Sequence, residues 1–300
     1  MEKTVGLIGL GSMGSNIAER LHSNGYALVL YDRTIDKSDS FKSMDKTVIS
    51  KDMEDFAGKI KQQEGSSTVW IMVPGGAPTN ALVSELGGLL RKGDVVIDAS
   101  NSMYTDSVSN YNVLKEKGIF YLDVGCAGGP QDLLKGVALM VGGDKGAFEK
   151  TKDIFRAVSG NGTYGYVGRS GSGHITKLVH NLTFYGIFPI YAESIELLLS
   201  MKEKEPDKEL NANEALRLLA SSPPITTDIM NAIASTYSNG TMQGDAPQLK
   251  ISGMVKQGMD TASNLGVSLD ATNAVLNVYK SMSEKSRIIY SSAKKIITGH

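Results

Sequence analysis

The architecture of this chain follows from one stretch near its start, Thr4-Val5-Gly6-Leu7-Ile8-Gly9-Leu10-Gly11-Ser12-Met13-Gly14. The stretch begins as a short apolar strand and leads into a helix-like segment at 15–21. Its glycines have separate tasks in such a strand-turn-helix setting. Gly9 permits the tight turn, Gly11 lets a pyrophosphate approach the backbone, and Gly14 lets helix and strand pack closely. Because the helix N-terminus then faces the phosphates, the pattern predicts a dinucleotide-binding loop.

An acidic residue at the end of the second strand supports this interpretation. The apolar run 27–31 ends in Asp32, where a carboxylate can accept hydrogen bonds from the ribose hydroxyls. The same carboxylate would repel a 2'-phosphate, which favours NAD over NADP. Arg33 follows directly, and its guanidinium can turn outward to hold that phosphate or stack on the adenine. We therefore expect NAD as the cofactor, with NADP as an alternative.

Further short apolar runs, each closed by turn residues, follow along the first half of the chain at 68–73, 94–98, 118–124 and 137–143. Such runs are typical of buried parallel strands. Their alternation with helical stretches predicts an α/β Rossmann-type, doubly wound domain over residues 1–165. Helical periodicity then continues to the C-terminus, which predicts an all-α domain over residues 166–300.

The carboxyl ends of these strands should line the cofactor crevice. In addition to the three glycines and Asp32, the residues expected to bind the cofactor are Leu10, Ser12, Met13, Arg33, Thr34, Val73, Pro74 and Asn101. Four residues in strand-end loops can hold a small anionic substrate through short donors and bare backbone, and they are Asn101, Ser102, Gly128 and Gly129. Turn formation without any other role is the alternative for each of them.

The second informative stretch is Gly171-Ser172-Gly173-His174-Ile175-Thr176-Lys177-Leu178-Val179-His180-Asn181. It opens an apolar segment that extends to Leu199 and predicts one long helix. Lys177 and Asn181 lie one turn apart on the same face of that helix. Burial and the positive helix N-terminus both favour the neutral amine, so Lys177 can serve as a base. A surface lysine among ordinary polar positions is the alternative.

Composition narrows the class of protein. With 300 residues, 41% hydrophobic and 21% charged, the chain is predicted to be a soluble two-domain protein. A net charge of -1 gives no reason to expect a nucleic acid or an anionic membrane as partner. The N-terminus lacks a signal-peptide layout, and we expect a cytoplasmic protein. The single cysteine, Cys126, cannot form an internal disulfide, and no Cys/His cluster has zinc-ligand spacing.

Taken together, the motifs at 6–14, 98–102, 123–129 and 171–181 resemble the β-hydroxyacid dehydrogenases, and among them the short-form 6-phosphogluconate dehydrogenases. The resemblance implies NAD(P)-dependent oxidation of a small anionic β-hydroxyacid, with Lys177 as general base and Asn181 as a second catalytic residue. It also implies a homodimer or higher homo-oligomer. By the same resemblance, further substrate contacts come from Asn101, Ser102, His180, Tyr185, Lys256 and His300, the last reaching into a partner subunit.

Three positions depart from the family pattern. An arginine expected in the helix after Lys256 is missing, with Val278 or Tyr279 near its place and Lys280 as the candidate substitute. Phe184 stands where the family has a glutamate that protonates the enediol after decarboxylation, and Ala127 replaces a serine. The first hypothesis remains oxidation and decarboxylation of 6-phosphogluconate to a pentulose phosphate. A second is a non-decarboxylating dehydrogenase of another small hydroxyacid that carries phosphate, phosphonate or sulfonate. A third is a dinucleotide-binding regulator that has lost catalysis.

Overall fold

The computed structural model of the chain describes residues 3–62, 65–130, 132–204, 206–222, 228–240, 253–264 and 270–298. The chain divides into two compact units, Met1–Lys177 and Leu178–His300. The predicted domain boundary at 165/166 falls within a strand of the first unit, Thr163–Gly168. The boundary between the two compact units, after Lys177, therefore lies further along the chain than the predicted boundary.

The first unit contains one mainly parallel sheet. Within the described residues its strands are β1 Thr4–Ile8, β2 Ala27–Tyr31, β3 Thr47–Ile49, β4 Thr68–Ile71, β5 Val95–Asp98, β6 Phe120–Ala127, β7 Ala138–Gly143 and β8 Thr163–Gly168. Their spatial order is β3-β2-β1-β4-β5-β6-β7-β8. Neighbouring strands pair in parallel except β6 and β7, which are antiparallel. The predicted doubly wound α/β fold is confirmed, whereas β3, β8 and the reversed direction of β7 were not predicted.

Helices connect these strands and supply the layers that cover the sheet. They are α1 Ser12–Ser23, α2 Met53–Ile60, α3 Ala77–Leu89, α4 Tyr104–Glu116, α5 Asp132–Lys135 and α6 Lys145–Ser159, with a 3-10 turn at Ile35–Phe41. Successive strand residues point into two different cores: Trp70 of β4 lies in one, and its neighbours Val69 and Ile71 lie in the other. Because side chains alternate along a strand, both faces of this sheet are buried.

The second unit is helical throughout its described part. The long helix α7 Ser172–Lys204 runs on from the first unit, and it is followed by a 3-10 turn at Pro206–Lys208 and then α8 Ala212–Ser221, α9 Asp228–Ser238, α10 Gly253–Asn264, α11 Asp270–Ser281 and α12 Glu284–Thr298. The core of this unit combines side chains of α7 such as Phe188 with Ile233 of α9 and Tyr290 of α12. The predicted long helix and helical second half are confirmed.

One property of α7 bears on the expectation that the protein has no membrane partner. Among the described helices, α7 is long and apolar enough to cross a membrane by length and composition alone. Core helices of soluble proteins meet the same criterion. The absence of a membrane partner stays a prediction.

Candidate functional site

The glycine loop after β1 is held tightly against the neighbouring strand. Gly9 has φ +99°, and a Cβ there would lie 2.4 Å from the carbonyl oxygen of Met72. A Cβ on Gly14 would lie 1.9 Å from the carbonyl oxygen of Gly9. Gly11 differs, because a Cβ there would meet no atom within 4 Å. The first and third glycines therefore allow the turn and the packing, and the space beside Gly11 is open for a ligand to approach.

The first turn of α1 is available for an anion. Gly11 is the N-cap of α1, and because it is a glycine it has no side chain to accept a hydrogen bond from the amides of the first turn. Orphan N–H groups at a helix N-terminus bind phosphate well. Ser12 is exposed and Met13 is half-buried at this turn. Leu10 packs into the core instead, so its contribution to a cofactor site comes from the backbone. These residues fit the pyrophosphate of a dinucleotide.

Asp32 links the glycine loop to the end of β2. Its Oδ2 accepts a hydrogen bond from the Leu10 amide at 2.7 Å, and its Oδ1 accepts one from the Thr34 amide at 2.7 Å. Each carboxylate oxygen can accept a second hydrogen bond, so ribose hydroxyls can still be bound. Arg33 and Thr34 are exposed beside it, and the Lys37 ammonium lies 4.0 Å from Oδ2. The arrangement fits a ribose and leaves cationic groups nearby.

The loops after β4 and β5 touch each other. A Cβ on Gly75 would lie 2.2 Å from the carbonyl oxygen of Asn101, so this glycine permits the close approach. Val73 is half-buried, and the carbonyl of the exposed Pro74 accepts a hydrogen bond from the Thr79 hydroxyl at 2.9 Å. The structure thus places Gly75, which directly follows Val73 and Pro74, against the backbone of Asn101.

The loop at 99–102, here called the strand-end loop, has one exposed and one buried predicted site residue. Asn101 is exposed, whereas Ser102 is only 3% exposed. The Ser102 hydroxyl shares a hydrogen bond with the Ser100 hydroxyl at 2.7 Å, and Ser100 in turn donates to Asp98. Asn101 is therefore presented to a ligand, while Ser102 belongs to a buried hydrogen-bonded group in this conformation.

The glycines after β6 are placed differently from each other. Gly128 is exposed with φ +139°, a conformation that favours glycine. The Gly129 amide donates to the Asp132 carboxyl at 2.6 Å. We expected both glycines to offer bare backbone to a substrate, but the Gly129 N–H is used within the loop.

The start of α7 lies directly against β6 and β7. A Cβ on Gly173 would lie 2.3 Å from the carbonyl oxygen of Asp123 and 2.5 Å from that of Met140. A Cβ on Gly125 would lie 2.5 Å from the Cβ of Lys177. Small residues on both sides therefore let the first two turns of α7 pack on the strands. Gly125 in particular leaves the space that Lys177 occupies.

A buried carboxyl closes the first turn of this helix. Asp123 is fully buried, and its two oxygens accept hydrogen bonds from the amides of Gly171 at 2.8 Å and His174 at 3.0 Å. These bonds satisfy amides that the helix itself leaves unpaired. The negative partner also offsets the positive end of the helix dipole. This role of Asp123 was missed from the sequence, although an aspartate within an apolar strand is an unusual residue that could have drawn notice.

The surroundings of Lys177 change its pKa. Burial lowers the pKa of Lys177 below its usual value, while the nearby Cys126 at the end of β6 acts in the opposite direction. Burial also raises the pKa of the Cys126 thiol to about 11. Desolvation is the largest cause of the lowered Lys177 pKa, as expected, and the expected contribution of the helix dipole stays a prediction.

Five of the other predicted site residues belong to the second unit. His180 Nδ1 lies 3.3 Å from Asn181 Oδ1 on α7, and the Tyr185 carbonyl accepts a hydrogen bond from the Tyr279 hydroxyl at 2.8 Å. Lys256 is exposed on α10. His300 lies outside the described residues, so its predicted place in a partner's site stays a prediction.

Phe184 sits among aromatic rings. The His180 ring stacks on it with centroids 6.4 Å apart and an interplanar angle of 7°. Tyr185 and Phe188 meet it edge to face at 5.3 Å and 5.2 Å. The position where the resembling family has a general acid is therefore part of an apolar aromatic cluster. Across the described residues, no group of three or more His, Cys, Asp and Glu side chains could hold a metal ion.

Proteins similar to this chain support a dinucleotide-binding first unit. Residues 4–168 match the family described as the NAD binding domain of 6-phosphogluconate dehydrogenase. The chain is 31% identical over 293 residues to the decarboxylating 6-phosphogluconate dehydrogenase of Synechococcus elongatus, covering 91% of this chain and 60% of that protein. It is 36% identical over 205 residues to the NAD(+)-dependent, decarboxylating 6-phosphogluconate dehydrogenase of Bacillus subtilis, covering 66% and 43%. The chain thus spans less than two thirds of the length of these curated relatives.

A solved structure shows the same fold over a similar length. The 3-hydroxyisobutyrate dehydrogenase of Mycobacterium tuberculosis, solved with L-serine, gives a TM-score of 0.72 at 18% identity and covers 97% of this chain and 99% of that chain. At this identity the likeness concerns the fold alone. The family match is independent of it and includes the glycine loop, Asp32 and the strand-end loop. The chain belongs to the family of 6-phosphogluconate and related β-hydroxyacid dehydrogenases, and residues 4–168 are its NAD-binding domain.

Proposed function

We propose that this protein is an NAD(P)-dependent dehydrogenase of a small anionic β-hydroxyacid, with Lys177 as general base. The observation that carries the proposal is Lys177 itself. Its side chain lies in a space that Gly125 leaves open, and burial lowers its pKa. A base is most effective when its pKa is close to the working pH. A surface lysine has neither feature, and this argues against the alternative that Lys177 is an ordinary polar position.

In the proposed reaction, Lys177 accepts the proton of the substrate hydroxyl. Bound NAD supplies the acceptor for the hydride that leaves the same carbon. Asn181 follows Lys177 by one helical turn on α7, and its amide holds the substrate oxygen for the proton transfer. Asn101 and Gly128, which are both exposed, orient the carboxylate. Once protonated, Lys177 stabilises the carbonyl oxygen of the keto product.

For the cofactor we propose NAD, with NADP tolerated. The Asp32 carboxyl fits a ribose with a free 2'-hydroxyl and repels a 2'-phosphate. Exposed Arg33 and the nearby Lys37 ammonium reduce that repulsion. A relative named above is NAD(+)-dependent by its name. Turnover measured with each cofactor at equal concentration tests this, and a strong preference for NADP contradicts it.

The first substrate candidate is 6-phosphogluconate, oxidised and decarboxylated to a pentulose phosphate. The names of the curated relatives support it. Exposed Lys256 would then bind the substrate phosphate as a point charge, together with the Tyr185 hydroxyl and His300. We also propose that the protein is a cytoplasmic homo-oligomer, as the family resemblance implies.

The second candidate is a non-decarboxylating dehydrogenase of another small hydroxyacid with phosphate, phosphonate or sulfonate. Phe184 is the observation that favours it, since an aromatic ring packed against His180 and Phe188 cannot transfer a proton. Loss of a general acid typically slows its step by about 10²- to 10⁴-fold. An enzyme that never forms an enediol does not need that acid.

One assay separates these candidates. The purified chain is given NAD and a panel of hydroxyacids that includes 6-phosphogluconate, while cofactor reduction and carbon dioxide release are recorded together. Reduction with stoichiometric gas release supports the first candidate, and reduction without gas supports the second. Cofactor binding without turnover on any hydroxyacid refutes the dehydrogenase proposal and indicates a regulator. Phe184→Glu should raise gas release in the first case and leave cofactor reduction unaccompanied by gas in the second.

A further inference from the structure

Buried polar side chains of the first unit form two hydrogen-bonded groups that meet at the strand-end loop. We call them together the buried network. Its first group is Tyr121, Asp98, Ser100 and Ser102, and its second is Ser107 and His174, which is tied to the carbonyl of Met103 directly after Ser102. The Asp98 carboxyl, at the end of β5, accepts from the Ser100 hydroxyl at 2.5 Å and from the Tyr121 hydroxyl at 2.6 Å. Fully buried polar groups destabilise a protein unless they are paired, so this arrangement is strongly specified.

The direction of each bond follows from the chemistry of the groups. Burial and the Asp98 carboxyl raise the pKa of Tyr121 well above its usual value, so its hydroxyl keeps a proton and donates it to Asp98. The Ser107 hydroxyl donates its single proton to the carbonyl of Met103 at 3.2 Å. Ser107 Oγ is then the acceptor toward His174 Nδ1, which lies 2.7 Å away.

The other ring nitrogen gives the same answer independently. His174 is only 2% exposed, and its Nε2 has no hydrogen-bond partner within the described part of the chain. A proton on Nε2 would leave a buried donor unsatisfied, which is more costly than an unused lone pair. His174 therefore carries its proton on Nδ1 and donates it to Ser107, whose own proton goes to the Met103 carbonyl beside the strand-end loop.

The buried network reaches α7 close to the proposed base. His174 precedes Lys177 by three residues, which is slightly less than one helical turn. Ser107 also fixes the segment that leads into this helix, because its carbonyl accepts a hydrogen bond from the hydroxyl of Ser170, two residues before the helix, at 3.1 Å. At the other end, Asp98 is followed directly by the strand-end loop, whose conformation Ser100 fixes through two bonds to the same carboxyl oxygen.

We infer that the buried network from Asp98 to His174 is a positioning network, which holds the turn of α7 that carries Lys177 at a fixed distance from the strand-end loop. The inference rests on the proposed role of Lys177 as base. None of these side chains needs to touch the substrate. Their effect is on the geometry of proton transfer, where a displacement of about 1 Å can lower a rate by about 10²-fold.

The kinetic test compares two buried serines. Ser107→Ala breaks the buried network, and Ser159→Ala is the matched control, because Ser159 is equally buried in α6 and its hydroxyl also bonds a carbonyl of its own helix. We expect Ser107→Ala to lower kcat about tenfold with the KM values for cofactor and hydroxyacid nearly unchanged. Ser159→Ala should leave kcat unchanged. Equal kcat values for the two variants would overturn the inference.

A second pair of variants guards against a general packing defect. His174→Asn keeps a hydrogen-bonding group near the position of Nδ1, and His174→Leu, of similar size, removes it. We expect kcat to be higher for His174→Asn than for His174→Leu. The same kcat for both would mean that His174 acts only by filling space.

Two measurements need no turnover, and they keep this inference separable from the proposed function. A ¹⁵N-¹H spectrum of the imidazole should show the His174 proton on Nδ1. A proton on Nε2 contradicts the hydrogen bond that His174 donates to Ser107 in the buried network. Amide hydrogen exchange of the peptide 171–178 should be faster in Ser107→Ala than in Ser159→Ala. If the wild-type chain turns over no hydroxyacid, the proposed function fails, and unchanged exchange in that peptide would then overturn the positioning role as well.

Discussion

The helices α1 and α7 both begin beside glycines, and their first turns differ in what faces their amides. At α1 the N-cap is Gly11, which has no side chain to accept a hydrogen bond, and the space beside it is open. At α7 the buried Asp123 carboxyl accepts from the amides of Gly171 and His174. One helix start is open to a ligand, and the other is closed by the protein itself.

The difference separates two uses of the same local geometry. An open first turn offers N–H groups and the helix dipole to an anion, as the NAD-binding family requires. A closed first turn cannot bind an anion in that way, but it gives the helix a fixed start from which a side chain can be placed. In this chain that side chain is Lys177. The glycines at 125 and 173 therefore serve close packing at α7 rather than ligand approach.

The largest expected effect concerns Lys177, the side chain that follows the closed first turn of α7. Lys177→Met keeps the length and apolar character of the buried side chain and removes the amine. We expect turnover to fall by about 10²- to 10⁴-fold, because general-base catalysis contributes that much. The affinity for NADH, measured by fluorescence titration, should be nearly unchanged since the α1 turn is intact. Turnover equal to that of the wild type would exclude Lys177 as the base.

The same lysine predicts how turnover depends on pH. The neutral amine is the active form, so kcat should fall about tenfold per pH unit as the pH drops below the pKa of Lys177. Because burial lowers that pKa, the midpoint of this acid limb should lie below the ordinary lysine value of 10.5. A kcat profile over a wide pH range measures it. A midpoint at or above the ordinary value would contradict a desolvated lysine.

A change at Asp123 should remove one of the two hydrogen bonds that close the first turn of α7. Asp123→Asn leaves one oxygen to accept a hydrogen bond but turns an NH₂ group toward the second amide, and we expect a loss of about 2–3 kcal/mol of unfolding free energy. Urea unfolding measures this loss. Asp52→Asn is the control, because Asp52 is the N-cap of α2 and accepts from one amide only. Asparagine caps helices as well as aspartate, so this variant should be nearly neutral. Equal losses would mean that Asp123 is an ordinary cap.

The sequence predicts the inner strands of the sheet but not its edges. β1, β2, β4 and β5 are continuous apolar runs because both of their faces are buried. β3 and β8 lie at the two ends of the strand order, and residues such as Val48 of β3 are exposed, so their runs are too short or too polar to stand out. Nothing in the β7 pattern distinguishes an antiparallel strand from a parallel one.

The candidate site also contains some features that the sequence predicts and others that it does not. Lys177 and the glycine loop belong to local motifs, whose spacing is visible in the sequence. The role of Asp123 depends on a contact with Gly171, 48 residues away, and the bond from Ser107 to His174 joins residues 67 apart. A pattern confined to one segment cannot reveal such pairs. For this reason the sequence indicated the proposed base but not the side chains that hold its helix.

The smallest expected effect concerns the open turn. At Gly11 a Cβ meets no atom within 4 Å, so Gly11→Ala should fold normally, yet its methyl group would lie where a pyrophosphate approaches. We expect NADH to bind about tenfold more weakly, a change of about 1.4 kcal/mol. Gly88→Ala is the matched control, because a Cβ on this exposed glycine of α3 also meets nothing. It should leave NADH affinity unchanged and stabilise the helix by about 0.5–1 kcal/mol. If both variants bind NADH equally well, the dinucleotide does not approach the first turn of α1, and the contrast between an open and a closed helix start is lost.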